Sequence, residues 1–584
     1  MLAASGLLIV TVCVPLAVAV LLAVPSLRAR VVPAVPWAAA PALALALLAT
    51  PGEPSGISWL LLGAHVGIDD TGRVFLLFSA VLWLASGLYA RHTMAGGPRP
   101  HRFFALFLAT MAGNLGVIVA ADAVTFYLCF ALMSFASYGL VVHAGDPEAL
   151  RAGRVYMAFV IVGEVLLFLG MVGLAGLGGA TEFSALRDML SRPSAAGVPL
   201  ALIVAGLAVK TAAFPLHMWL PLAHRAAPPA GSAVLSGTVI KAGLLGWLRF
   251  LPLGTITLPA LGMVCLVGGL FTAFWGVLVG VTQKDPKGVL GYSSISQMGL
   301  ITTGVGMGLL APAAWPLLLP AICLYAFHHA LAKAALFLGT GIASGYAVTA
   351  PRRGLLAAGI VVSALALAGA PFTSGAAAKV ALKAGFDDAP LSPALLEGLL
   401  SLAAVGTTLL LLRFLALLWA KHTAGWFDEP APAGALIPCL ALAIGTASVW
   451  FVPWMGFADS ARQSVAATYL WSTTWPVLLG AALFWLAWLA WRTPAIARGG
   501  ASLHIPPGDV LALLVAAGDA FWRLRARVRW TRPVASWSGR RTMETRARTL
   551  LEQTVAMETR LQRWDVVGAL ALVVVAAVYV LLVR

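Results

Sequence analysis

The sequence predicts an all-α, polytopic membrane protein of about sixteen transmembrane helices, and three observations predict it. Of 584 residues, 61% are apolar and only 10% are charged. With a mean hydropathy of +0.93, this is far outside the composition of soluble domains. Apolar runs long enough to cross a bilayer recur along the whole chain. These runs are continuous rather than alternating, which excludes a β-barrel.

The expected spans are 4–26, 34–51, 74–92, 103–121, 124–143, 155–177, 198–217, 232–251, 257–281, 289–310, 315–343, 355–384, 393–420, 434–456, 474–491 and 566–583. The first lacks a basic start and is too long for the apolar region of a signal peptide, so it reads as a span. Loops after odd-numbered spans carry most of the basic residues, among them Arg28, Arg91, Arg151, Arg225, Lys284 and Lys421. The opposite loops carry only Arg73, Arg187, Arg192 and Arg462. The positive-inside rule therefore places the basic loops in the cytoplasm and both termini outside, in a cytoplasmic (inner) membrane. The net charge of +16 follows from these topology-setting loops and does not point to nucleic acid. Cys13, Cys129, Cys265, Cys323 and Cys439 lie far apart in apolar segments, with no CxxC. They read as packing residues, and neither zinc nor an iron–sulfur cluster is expected. No metal or cofactor is expected in this chain, and it shows no redox or hydrolytic site of its own.

The stretch 198–251 organises the chain. Lys210 and Lys241 each fall inside an apolar segment, where an ionised lysine costs roughly 2.5–3.5 kcal/mol on insertion scales. Pro215, Pro221, Pro228 and Pro229 interrupt the same stretch. Broken backbone at membrane depth is tolerated where it is buried in protein or lines a wet cavity, as at transporter midplanes. The segment 355–384 repeats the arrangement, with Lys379 behind Pro371 and Gly375. Each broken segment is the fourth in a group of five spans. Because five is odd, the two groups read as inverted repeats. The organisation expected is a three-span segment (1–102), a first repeat (103–251), a second, inverted repeat (252–420), two further core spans (421–491), a basic amphipathic segment (492–565) and a final span (566–584).

The ionisable residues inside spans are Glu164, Lys210, Lys241, Lys333, Lys379 and Lys383, joined by His328 and His329. His329 and Lys333 share a helix face, as do Lys379 and Lys383. Lysines whose charge responds to burial and neighbours can take up and release protons, so such a row reads as a proton path. Lys383 and Lys241 also lie near enough to span ends to snorkel, and His328 reads equally well as a packed histidine. One intramembrane glutamate and no aspartate argue against a dedicated sodium site, since such ions prefer several oxygen ligands.

These residues carry a resemblance. VKTAAFPLHMWLPLAH (209–224), SGTVIKAGLLGWLRF (236–250), QKDPKGVLGYSSISQMGL (283–300) and HHALAKAALFLGTG (328–341) resemble the antiporter-like, proton-conducting subunits of respiratory complex I, hydrogenase-4 and multisubunit cation/proton antiporters. GAPFTSGAAAK (369–379) and LLLLRF (409–414) match more weakly. The resemblance implies a fourteen-helix core with two inverted five-helix repeats and no cofactor. It also implies a central lysine on each broken helix (Lys210, Lys379), bridging lysines (Lys241, Lys333) and a neighbouring histidine (His329). Secondary candidates are His328, Lys383, His217 and Arg413. The family's usual fifth-span glutamate is replaced by Ala131. Either Glu164, one span later, partners Lys210, or coupling is altered or lost.

The function expected is proton translocation as a membrane subunit of a redox-driven complex, with other membrane subunits, a peripheral redox module and the lipid bilayer as partners. The alternatives are a subunit of a multisubunit sodium/proton antiporter or a non-conducting structural subunit. An enzyme using His328 or His329 as a base has no nucleophile or paired acid to support it.

Overall fold

The computed structural model describes residues 2–492, apart from positions 59, 61–62, 179–180, 191–196, 388, 390, 425–428, 447–451 and 453, together with 505–512, 517 and 520. Among these, eleven helices are long and apolar enough to cross a membrane. The chain is a multi-pass membrane protein. Fifteen of the expected spans have a helix in their place. The sixteenth, 566–583, and most of the basic amphipathic segment 492–565 lie outside the described residues.

In chain order the elements are α1 (Leu2–Leu21), α2 (Pro25–Leu48), β1 (Ser55–Ile57), β2 (Ala64–Val66), α3 (Asp70–Thr93), α4 (Pro100–Val119), α5 (Ala123–Val141) and α6 (Pro147–Gly178). Then come α7 (Gly197–Thr211), α8 (Trp219–Ala226), α9 (Pro229–Phe250), α10 (Pro259–Gly280), α11 (Pro286–Leu310) and α12 (Trp315–Gly345). The described core ends with α13 (Ala350–Ala368), α14 (Ser374–Ala384), α15 (Pro393–Ala424), α16 (Ala433–Gly445), α17 (Phe457–Ser464) and α18 (Ala467–Arg492).

Four helix starts are set by aspartates in the loops before them. Asp69, Asp122, Asp146 and Asp285 each accept a hydrogen bond from the backbone N–H three residues on, at 2.7–3.0 Å. Such caps satisfy donors that a helix leaves unpaired. Within the membrane, close packing relies on small residues. The α10–α11 pair shows why: a Cβ on Gly299 would lie 2.6 Å from the Ala273 backbone nitrogen.

Two features add detail to the sequence reading. The all-α class holds, with one small addition: β1 and β2 form an antiparallel hairpin pairing Gly56 with His65. The Pro- and Gly-rich connection 51–56 cannot continue a helix, and the His65 N–H finds Asp122 Oδ2 at 2.7 Å. Within the expected span 434–456 the described helix is α16, shorter than a full span, and positions 447–451 and 453 lie outside the described residues. Met455 (φ 53°) and Gly456 (φ 68°) turn the chain before α17.

Burial divides the helices. The spanning windows of α9 and α12 are wholly enclosed by other helices, whereas α18 is mostly exposed, with Trp471, Leu478 and Trp485 facing outward. Such an apolar exterior suits lipid, and the enclosed pair is where charge can be carried.

Candidate functional site

Both breaks exist. The first runs from α7 to α8 through Ala212 in a left-handed conformation (φ 56°). The Phe214 N–H, freed from the helix, donates to Thr272 Oγ1 at 3.1 Å, and the Trp219 indole N–H donates to the Val209 carbonyl at 2.9 Å. Lys210, on the last turn of α7, is 4% exposed. Its Nζ makes no hydrogen bond and lies 5.3 Å from the Phe130 ring centroid and 5.7 Å from that of Tyr156, a cation–π environment. The carboxylate oxygens of Glu164 on α6 are also without a hydrogen bond. Glu164 and Lys210 therefore form no direct ion pair.

The centre of the molecule joins α9, α11 and α12. A π-helical turn at Leu235–Val239 precedes Lys241, a distortion often found at functional sites. Lys241 Nζ donates to the Ser236 carbonyl and touches His329 Nδ1 on α12. Ser236 Oγ bonds Ser294 Oγ at 2.8 Å, and the Ser294 hydroxyl donates to the Leu290 carbonyl at 3.0 Å. Lys333 Nζ donates to that same carbonyl at 2.8 Å. The two bridging lysines thus share one polar line, with His329 at one end. All of these groups are fully or almost fully buried.

The second break lies between α13 and α14, through Gly369 (φ 83°) and Phe372 (φ 65°). Lys379 Nζ donates to the Ala368 carbonyl at 2.6 Å and the Leu367 carbonyl at 3.1 Å. These carbonyls end α13 and have no helical partner, so the lysine caps the helix ahead of it. Only glycine suits position 369, because a Cβ there would lie 2.8 Å from Lys379 Cδ. A cavity of about 20 Å³ opens beside Lys379 and Lys383, lined also by Ser401, Ser472 and Thr473. It has room for about one water. Lys383 donates to Ser401 Oγ at 2.8 Å and lies 3.8 Å from Glu397. His328 Nδ1 on α12 meets Ser374 Oγ, the first residue of the Lys379 helix α14, at 2.8 Å.

Further buried polar groups surround these sites, some of them at residues the sequence reading did not single out. Tyr325 donates to Gln297 Oε1 at 2.8 Å, and Gln297 Nε2 donates to Thr407 Oγ1 at 3.0 Å, a buried polar chain next to His328. His224 is fully buried against Phe337. His217, a secondary candidate, meets Asp509 Oδ2 at 3.0 Å, and the Tyr292 hydroxyl donates to the same oxygen at 2.8 Å. Burial works to raise the Asp509 carboxyl, but its contacts with His217, the Val510 N–H and Tyr292 outweigh it and hold it below the ordinary value. Arg413 Nη2 donates to the Gln283 carbonyl at 3.3 Å, and Gln283 Nε2 donates to the Ile505 carbonyl at 2.9 Å. Among the described residues, no group of three or more His, Cys, Asp or Glu side chains could hold a metal.

Residues 120–388, which contain both breaks, match the family model for the transmembrane module of NADH:quinone oxidoreductases and Mrp antiporters. The chain is 31% identical over 338 residues to a probable K⁺/H⁺ antiporter A/B subunit of Rhizobium meliloti (strain 1021), covering 55% of this chain and 33% of that one. It is 31% identical over 277 residues to hydrogenase-4 component B of Escherichia coli (strain K12), covering 46% and 41%. The chain thus spans about a third to two fifths of the length of these relatives. The fold is similar to a chain in the Mrp complex of Dietzia sp. DQ12-45-1b, with a TM-score of 0.72 at 22% identity, covering 95% of this chain and 63% of that one.

Proposed function

We propose that this chain, whose residues 120–388 match the NADH:quinone oxidoreductase/Mrp antiporter transmembrane family model, translocates protons as one membrane subunit of a larger complex. The observation that carries the proposal is the Lys241–Ser236–Ser294–Leu290–Lys333 line with His329 in contact. Lys241 and His329 lie within hydrogen-bond reach and can exchange a proton directly, and Lys333 joins them through the shared hydroxyls and carbonyls of the line. Lys210 and Lys379 flank this line on the two broken helices. Each sits where a broken backbone leaves carbonyls and N–H groups free of helical pairing.

The groups favour protons over a bound metal cation. The polar line is built from amines, imidazole, hydroxyls and single carbonyls, whereas hard cations take several oxygen ligands. Glu164 acts in this reading through its field on Lys210, loading or unloading the first lysine. Partners are other membrane subunits in a cytoplasmic membrane, with the basic loops inside and the N-terminus outside. The relatives are named both for cation/proton antiport and for hydrogenase-4. The partner set is what decides between a cation gradient and electron transfer as the coupled process, and purification of the intact complex in mild detergent identifies it.

The test of translocation uses inverted membrane vesicles that hold the complex, with a pH-sensitive dye. Lys241→Ala and Lys379→Ala should abolish acidification while the complex still assembles on native gels. Wild-type acidification in both variants sinks the proposal.

A further inference from the structure

The segment 505–510 lies beyond α18 in sequence, yet it packs on the first broken helix. Its backbone is fixed at both ends of the contact. Gln283 holds the Ile505 carbonyl, and the Gly508 N–H donates to the Tyr292 hydroxyl at 3.2 Å. Gly508 (φ 86°) and Asp509 (φ 23°) bend the chain so that the Asp509 side chain points inward. A non-glycine residue tolerates a positive φ only where its surroundings enforce it. Here they do: Asp509 is 3% exposed and sits between His217 and Tyr292.

His217 itself is fully buried, and its second ring nitrogen, Nδ1, has no hydrogen-bond partner. The Phe214 ring stacks on it at 5.5 Å, which restrains the imidazole plane. His217 closes the same break that begins beside Lys210. A carboxylate on one ring nitrogen fixes the tautomer and leaves the other nitrogen with a free lone pair, the arrangement that makes a histidine a proton acceptor.

We propose that Asp509 is a positioning residue for His217 on the proton path, so that the segment 505–510 completes the translocating site at its basic-loop end. In the resting state the Nε2–H of His217 donates to Asp509. A proton arriving at Nδ1 gives the imidazolium, which the Asp509 carboxylate stabilises. Release of that proton from Nδ1 restores the starting tautomer, with the Nε2–H held on Asp509 throughout. One proton enters, one leaves, and no other bond changes. The inference rests on the proton path proposed above.

The test compares Asp509→Asn, Asp509→Glu, His217→Gln and the Asp509→Asn/His217→Gln double variant in vesicles holding the intact complex. Asp509→Asn keeps the shape and a hydrogen-bonding group but not the charge. It should slow translocation at least about tenfold, in the range expected for a lost acid–base partner, and Asp509→Glu should restore most of the rate. The double variant should be no slower than His217→Gln alone, because Asp509 acts only through His217. A Gly508→Cys/Leu222→Cys pair bridged by a short bismaleimide reports docking, since a Cβ at 508 would lie 3.3 Å from Leu222 Cδ1. It should cross-link equally in the Asp509→Asn background. Wild-type rates in Asp509→Asn with the cross-link intact, or losses that multiply in the double variant, overturn the proposal. Lys241→Ala run alongside separates the two readings. If it is inactive while Asp509→Asn is normal, only the role of Asp509 falls; if it is also normal, the proton path falls.

Discussion

Gly369 and Lys379 show how tightly single residues are constrained at the second break. The glycine has a left-handed backbone, and the lysine lies across the space where its Cβ would be. Gly369→Ala should cost about 1–2 kcal/mol from the left-handed backbone alone. It should also push Lys379 off the Ala368 carbonyl. The expected outcome is a lower unfolding temperature in detergent together with slower proton translocation. A variant that loses stability but keeps full transport would show that the capping geometry of Lys379 is unimportant. The position of each lysine was legible in the sequence, because charge inside an apolar run is costly and stands out. Their acceptors were not. Lys241 finds His329 across 88 residues of sequence, and Lys333 finds the Leu290 carbonyl across 43.

Asp69 ties two elements together. It caps α3 by accepting from the Gly72 N–H at 2.7 Å, and it pairs with Arg249 at the end of α9 through both carboxylate oxygens. Burial works to raise its carboxyl, but Arg249 outweighs that and holds it at about 2, against an ordinary 3.8. A depressed carboxylate stabilises the fold above its unfolded value and loses that contribution as pH falls. The contribution should therefore be complete above about pH 4 and gone near pH 2. Thermal unfolding in detergent across that window should show a step in wild type that Asp69→Asn removes. Asp69→Ala should lose about 1 kcal/mol more than Asp69→Asn, because it also removes the cap. A second element-scale prediction concerns α10 and α11. Gly299→Leu forces the two helices apart and should cost about 1–3 kcal/mol by overpacking, read as a lower unfolding temperature. Unchanged stability would mean the pair does not pack as described. The helices themselves were legible from hydropathy. The β1–β2 hairpin was not, because its short strands carry no alternating apolar pattern and are held by Asp122 from a distant loop.

At the scale of the whole molecule, the asymmetry of basic loops gives a topology that can be measured. Gly97, before Arg99, lies on the basic-loop side, and Gly52 lies on the opposite one. In intact cells a membrane-impermeant maleimide should label Gly52→Cys and not Gly97→Cys, with permeabilisation exposing the second. The reverse pattern would invert the orientation and with it the direction assigned to the path. The enclosure of α9 and α12 by other helices gives this scale its functional meaning. The enclosed windows of these two helices hold Lys241, Lys333, His328 and His329 away from lipid, while α18 presents its apolar face to the exterior.

The sequence by itself determined that the chain lives in a bilayer, where its helices lie and where two of them break. These are local properties, written in runs of apolar residues and in prolines and glycines beside lysines. Tertiary structure alone decided which groups meet. It separated Glu164 from direct contact with Lys210, threaded Lys241 and Lys333 onto one line of serines and a carbonyl, and brought Asp509 to His217 across 292 residues. Contacts between remote segments depend on how whole helices pack, and no local pattern of residues encodes that.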